Sequence, residues 1–301
     1  MKYSKLIFLL SIVMLCSFEL AAGQGIDIRQ IKHFNVLSNS TSLRLIQMDI
    51  SKFKILDTAR LVVTYNHSFT RNATSGNQEQ TKMILEVGTH HTSFFSAVSF
   101  RNDSLKTVCN ALNLQNPPDE DFSDDSRPTY SIFSDLQSKK LTVVERIPFE
   151  SDYVVEYTEP QNDFSWIITD SRKELCGYSC QLATTEYGGR VWNVWFTVDI
   201  PLSTGPWKFH GLPGLILRAE DSEHQFVFDA VGLSSQEKGI FQYSWPTKQM
   251  DKKQWQKFEQ ALYTSPMQFV NQDGCVVFVD KTTQKWLDDS WSWPYNPIER
   301  E

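Results

Sequence analysis

The chain lacks the motifs by which many enzyme classes are recognised. No Gly-x-Ser-x-Gly turn lifts a serine into a nucleophilic position, and no glycine-rich loop could cradle a phosphate. No Cys-x-x-Cys, His-x-x-x-His or His-x-Glu-x-x-His spacing offers a metal site. His90 and His91 are adjacent, so on a strand their rings point to opposite faces and cannot chelate together. Only a long-range trio such as His91, His210 and His224 could do so; the expectation is no metal and no cofactor. A basic surplus is missing as well. The 29 Lys and Arg are outnumbered by 36 Asp and Glu, for a net charge of −7, which argues against nucleic acid and anionic lipid surfaces as partners. Beyond the N-terminus no apolar run is long enough to cross a membrane. No internal repeat and no clean linker divides the chain.

The N-terminus carries what the rest lacks. Lys2 and Lys5 precede an apolar run, Leu6 to Phe18, and Ala21-Ala22-Gly23 supplies small residues for cleavage. The run is about thirteen residues, short of the roughly 18 to 20 that span a bilayer. Residues 1–23 therefore read as a signal peptide, and the protein as exported to the periplasm or the outer-membrane periphery. Cys16 follows the bulky Leu15, which disfavours a lipoprotein. Outside the signal stand Cys109, Cys176, Cys180 and Cys275, and an oxidising compartment permits disulfides among them. If Cys176 and Cys180 share one strand, their Cα atoms are about 13 Å apart, too far to bridge. Any disulfide then runs to Cys109 or Cys275, unless a bulge at Gly177 breaks the strand.

Residues 24–301 read as one domain. Residues 24–56 pattern weakly and are expected to form an N-terminal strap. From Ala59 to Phe69, Leu61, Val63, Tyr65 and Phe69 alternate with polar residues, as on a half-buried antiparallel strand, and Thr81 to Val87 pairs back against it. Asn102 to Leu112 permits a helix. The acidic segment 119–125 lacks the glycine and terminal glutamate of a calcium loop and reads as a solvated loop. From 129 to 232 strands rich in β-branched and aromatic residues follow one another: Leu141–Arg146, Tyr153–Thr158, Phe164–Thr169, Leu175–Tyr187, Val191–Ile200, Leu215–Glu220 and Gln225–Val231. Turn clusters at Asp170-Ser171 and Gly188-Gly189 separate them, giving a meander without βαβ units. Asp251 caps an amphipathic helix over Lys252–Leu262 with Trp255, Phe258 and Leu262 on one stripe. A last strand over Cys275–Asp280 precedes a tail that carries Trp286, Trp291, Trp293 and Tyr295.

Two places stand out. On Val191–Ile200, Trp192, Val194, Phe196, Val198 and Ile200 share a core face, while Val191, Asn193, Trp195, Thr197 and Asp199 share a mixed face suited to a semi-exposed concave ligand surface. Asp199 and Asp221 could form an acid pair, although Arg190 and Arg218 are equally placed to neutralise them. The second place runs from Gly205 to Leu217. Gly205, Pro206, Gly211, Leu212, Pro213 and Gly214 specify a tight turn region, and Leu215, Ile216 and Leu217 continue it into a buried strand. It holds no nucleophile or acid, so it reads as a folding element, with Gly211 and Gly214 expected in backbone angles closed to other residues.

That stretch resembles the motif of the GLPGLI family, secreted proteins of Bacteroidetes-type bacteria whose biochemical role is not established. The resemblance extends to Gly177-Tyr178-Ser179-Cys180 with Ala183-Thr184, to Gly189-Arg190, and to Trp195-Phe196-Thr197-Val198-Asp199-Ile200-Pro201. It also takes in Met83 to Gly88, Ser93 to Ser96 and the tail Tyr295-Asn296-Pro297-Ile298-Glu299. Cys176 departs from the pattern, where an aliphatic residue is usual. The family is similar to the bowl-like N-terminal domain of one class of secreted peptide-N-glycosidases and, more remotely, to periplasmic lipoprotein carriers. That enzyme class carries its acids in a separate domain not recognisable here, so the resemblance implies the fold and not the catalysis.

The fold expected is mainly β: a curved, open antiparallel sheet, bowl-like or half-barrel, with one or two short helices. The function expected is a non-enzymatic envelope module holding an apolar or glycan-like ligand, or an outer-membrane partner, in a concave sheet face. The alternatives are an envelope glycan hydrolase using Asp199 and Asp221, or a structural accessory of an outer-membrane complex.

Overall fold

The computed structural model describes residues 48–73, 76, 78–113, 128, 130–147, 153–265, 292 and 295–300. The first strands are β1 (Phe53–Ala59), β2 (Leu61–Thr70), β3 (Gln78–Val87) and β4 (His91–Ser96), followed by helix α1 (Ala97–Ala111). Then come β5 (Tyr130–Asp135), β6 (Lys140–Glu145), β7 (Val154–Pro160), β8 (Ile167–Leu175), β9 (Tyr178–Tyr187) and β10 (Arg190–Thr197). The chain continues through β11 (Leu215–Asp221), β12 (Phe226–Ser234), β13 (Lys238–Tyr243), β14 (Thr247–Gln249) and helix α2 (Lys252–Thr264).

Twelve strands form one large open sheet in the order β14-β7-β6-β5-β4-β3-β2-β12-β11-β10-β9-β8. It consists of two meanders, β2 to β7 and β8 to β12, joined where β12 pairs antiparallel with β2. The mainly β, curved, open architecture agrees with the sequence reading. One pair departs from it: the short edge strand β14 lies parallel to β7, so the sheet is mixed. A separate antiparallel ribbon, β1 with β13, is the second layer.

Period-two alternation explains the main core. Val63, Tyr65 and Phe69 on β2, Met83, Leu85 and Val87 on β3, Phe94 on β4 and Phe228 on β12 all point to one side. Trp192, Val194 and Phe196 join them from β10, as expected, but Val198, expected with them, is exposed because the strand ends at Thr197. The strongly bent segment between β10 and β11 fills this side with Trp207, Phe209 and Leu212, and α2 adds Trp255 and Leu262. Helix α2 starts where the sequence places it: Asp251 Oδ1 accepts from Gln254 N and Gln254 Oε1 accepts from Asp251 N, a reciprocal capping box.

Several boundaries differ from the sequence reading. Helix α1 begins at Ala97, capped by the Ser96 side chain, rather than near Asn102. Its buried positions are largely polar, including Asn102, Asp103 and Thr107, so the apolar stripe that marks an amphipathic helix is weak. The end of the expected N-terminal strap is a strand, β1, because a partner far along the chain, β13, pairs with it. Asp170-Ser171 is no turn; β8 passes through it as an irregularity in its pairing with β9. Cys176 and Gly177, both at positive φ, form instead the two-residue hairpin turn between β8 and β9. Strand β10 stops at Thr197, short of Ile200. The Gly188-Gly189 turn holds, with positive φ at both residues. The signal segment 1–23, most of the strap, the acidic loop 119–125, the expected strand at 275–280 and Trp286, Trp291 and Trp293 lie outside the described residues.

Candidate functional site

The motif segment 205–217 is buried structure. Trp207 adopts a positive φ and Phe209 N donates to Pro206 O, closing a turn. Gly211 N donates to Ser203 Oγ, and Trp166 Nε1 donates to His210 O, so the loop is pinned from both sides. Leu212, Leu215, Ile216 and Leu217 are fully buried. Gly211 has the expected positive φ, but Gly214 does not. Gly214 is required for another reason: a Cβ there would lie 1.9 Å from Thr197 O. Gly205 is similar, since its Cβ would come within 2.7 Å of the Ile216 side chain.

The expected ligand face is dispersed. Asn193 and Trp195 do sit half-exposed on the side of β10 away from the core, where Lys173 Nζ lies 4.1 Å from the centre of the Trp195 ring. Thr197 is fully buried, because the pairing shifts register between Trp195 and Phe196. Its hydroxyl accepts from Asp199 N. Asp199 is exposed beyond the end of the strand. The acid pair is not assembled either. Asp221 lies opposite Trp192, about seven residues of strand from Asp199, on the order of 20 Å. Asp221 is buried against Arg190 Nη1 at 2.7 Å, and Arg218 pairs with Glu220 and Asp229. The hydrolase reading based on Asp199 and Asp221 is thereby withdrawn.

Among the described residues Cys109, Cys176 and Cys180 form no disulfide with one another, and Cys275 lies outside them. Cys176 and Cys180 do not share a strand, since Cys176 is in the hairpin turn. Burial pushes the Cys180 thiol up to about 11, with Cys176 adding to the effect, so it is no activated nucleophile. Among the described residues no cluster of three or more ligating side chains could hold a metal, and His91, His210 and His224 are not brought together.

Two buried charge clusters went unread in the sequence, and both hold the C-terminal segment 295–300. Arg190 donates to Asp221, Gln225 and Asn296 side chains and to the carbonyls of Pro297 and Ile298. Asn296 Nδ2 donates in turn to Thr70 O and Gln225 Oε1. Glu299 is ion-paired with both Lys208 and Lys252, as is Glu159 on β7. Burial alone would raise the Glu159 carboxyl, but Lys208 and Lys252 outweigh it and hold it below its ordinary range. Nearby, burial pushes Glu259 up to about 7 with help from Glu299, while the Tyr295 hydroxyl bond opposes the rise. These charges are paired with one another and tie the C-terminal segment to the sheet, the arrangement of a clasp.

The open site lies on the opposite side of the sheet. The residues of β2 to β7 that alternate with the core set, including Val62, Ile84, Phe95, Phe133 and Val144, face a cavity of about 300 Å³. Strand β13 and α1 form its other walls. Two small apolar clusters share residues with its lining: Ala59, Val62, Ile84, Ala97 and Ile240 in one, and Met48, Val144 and Val154 with Phe133 and Trp245 in the other. Aromatic rings run along one wall, with Phe95 beside Phe100 at 5.7 Å, Phe100 beside Tyr243 at 6.4 Å and Tyr243 stacked on Trp245 at 5.4 Å. Arg146 lies over Trp245 at 4.8 Å and is ion-paired with buried Asp103. Lys238 pairs with buried Glu86 at 2.9 Å, and Ser93 Oγ donates to that carboxylate at 2.6 Å. Ser99 Oγ, on the first turns of α1, is buried at the cavity without a hydrogen-bond partner. The alternation of these strands is legible in the sequence; the cavity is not, because β13, which closes it, lies far along the chain from β2 to β5.

Against known proteins, residues 185–218 match a GLPGLI-type family described as "Protein of unknown function (Porph_ging)". The matched stretch runs from the end of β9 through the buried turn region into β11. No curated protein matches the sequence. Solved structures of PNGF-II in two crystal forms, P21 and C2, are similar at a TM-score of 0.45 and 15% identity. The likeness covers 67% and 69% of this chain but only 32% and 33% of those chains, so this chain spans about a third of their length. Among the described residues no helix is long and apolar enough to cross a membrane.

Proposed function

We propose that the protein is an exported, non-enzymatic binding module of the bacterial envelope, and that it holds a small, mainly apolar ligand in the cavity between the β1–β13 ribbon and the sheet. The observation that carries the reading is the cavity itself. Its volume of about 300 Å³ and aromatic lining match the size and chemistry of small-molecule sites. The N-terminal charge and hydropathy pattern supports export. The motif segment, buried and hydrogen-bonded, serves the fold, and the charge clusters secure the C-terminal segment. The ligand therefore belongs under β13 and not over Asn193 and Trp195, which lie on the same side of the sheet but outside the cavity.

Titration of the full chain with the neutral fluorophore N-phenyl-1-naphthylamine tests this. Binding is expected in the micromolar range. Ser131→Trp, which projects bulk into the cavity from β5, should abolish it with the melting temperature retained. Trp195→Ala should leave it unchanged. Absence of binding, or loss with Trp195→Ala while Ser131→Trp still binds, overturns the proposal.

A further inference from the structure

Among the described residues that line the cavity the charges do not balance: Glu86, Asp103, Glu156 and Glu237 stand against Arg146 and Lys238. Both cations are already committed, Arg146 to Asp103 and Lys238 to Glu86. That leaves Glu156 and Glu237. Glu156 Oε1 accepts from the neutral Gln249 amide at 2.8 Å, and among the described residues neither carboxylate forms an ion pair. An anionic ligand would meet this uncompensated negative charge at short range, which is unfavourable. The rest of the lining points the same way. Phe133, Phe241 and Phe100 line the cavity, and the face of an aromatic ring attracts organic cations through its quadrupole. The wall already shows the contact once, in the guanidinium of Arg146 over Trp245.

We infer that the ligand of this cavity is an organic cation, an alkylammonium or guanidinium group on an apolar body. The rings take the cation and its apolar neighbours, and Glu156 and Glu237 supply the countercharge. The inference rests on the proposed binding function of the same cavity. A site of this kind should discriminate by charge at constant shape.

The test compares three probes by calorimetric titration of the full chain: benzyltrimethylammonium, its carbon isostere neopentylbenzene, and anionic phenylbutyrate. The cation is expected to bind at least tenfold more tightly than the isostere, and phenylbutyrate more weakly than both. Phe133→Leu, which keeps apolar bulk but removes a ring face, should weaken the cation several-fold and leave the isostere unaffected. Glu156→Gln should do the same, and because Glu156 is half-exposed, its melting temperature should stay within a few degrees of the parent. Equal or tighter binding of neopentylbenzene overturns the cation inference while leaving the cavity as a binding site. Failure of all three probes, together with failure of N-phenyl-1-naphthylamine, overturns both readings. Tightest binding of phenylbutyrate reverses the charge assignment and overturns the inference alone.

Discussion

Gly214 shows how a residue can be marked in the sequence for one reason and needed for another. Its neighbourhood of Gly and Pro suggests an unusual backbone angle, yet its φ is ordinary. What forbids a side chain is the carbonyl of Thr197, 1.9 Å from where a Cβ would stand. That contact joins the end of β10 to the start of β11 across a loop, and no local rule reports it. Gly214→Ala should therefore cost about 3 kcal/mol, because backbone on both sides must move. His210→Ala, whose ring bonds only to its own loop through Lys208 O, should cost less than about 1 kcal/mol. Urea unfolding of both variants checks the pair; equal stability of the two would remove the close-approach argument. Lys208 is the converse case. In sequence it is one lysine in an apolar stretch, but it is 4% exposed and held by two glutamates 49 and 91 positions away.

At the scale of elements, the meanders were legible and the attachments were not. Alternation on β2, β3, β10, β11 and β12 is a local property, since each strand carries its own two-faced pattern. The β1 strand has an outward-facing, poorly alternating sequence and becomes a strand only through β13. The C-terminal segment 295–300 likewise has no periodicity. It is held by side-chain recognition, with Asn296, Glu299 and the carbonyls of Pro297 and Ile298 each read by a buried cation. Glu299→Gln would leave Lys208 and Lys252 sharing Glu159 alone. It should cost about 3 kcal/mol, as breaking a buried pair does. Arg300→Gln breaks an exposed pair with Glu223 and should cost no more than about 0.5 kcal/mol. Denaturant midpoints of the two variants measure the contrast, and a Glu299→Gln protein as stable as Arg300→Gln would show that the clasp is superficial.

At the scale of the whole molecule, pH should act on stability through a buried imidazole. His67 stacks against Phe69 and Phe228, with Nδ1 at 3.1 Å from Val227 O, and burial pulls its pKa down to about 4. The unfolded chain binds a proton near pH 6.5 that the folded chain refuses until about pH 4. The contribution is thus fully present above pH 6.5 and is lost as pH falls toward 4, by roughly 3 kcal/mol. Glu259 acts with the opposite sign, because an acid raised to about 7 favours the fold below its unfolded value and ceases to as pH rises through 7. Subtracting the stability profile of His67→Gln from that of the parent isolates the imidazole. The difference should rise between pH 4 and 6.5 and be flat above; a flat difference throughout would mean that His67 takes up its proton at the same pH folded and unfolded. By itself the sequence determined the β class, the open meanders and the cap of α2. Each follows from near neighbours, from residue alternation or from residue types. Only the tertiary structure decided that Asp221 is a buried counter-ion, that Thr197 is core, that the C-terminal segment is clasped and that an aromatic cavity opens under the ribbon. Each depends on partners tens to hundreds of residues apart, and the strand pairing that selects those partners is a property of the whole chain.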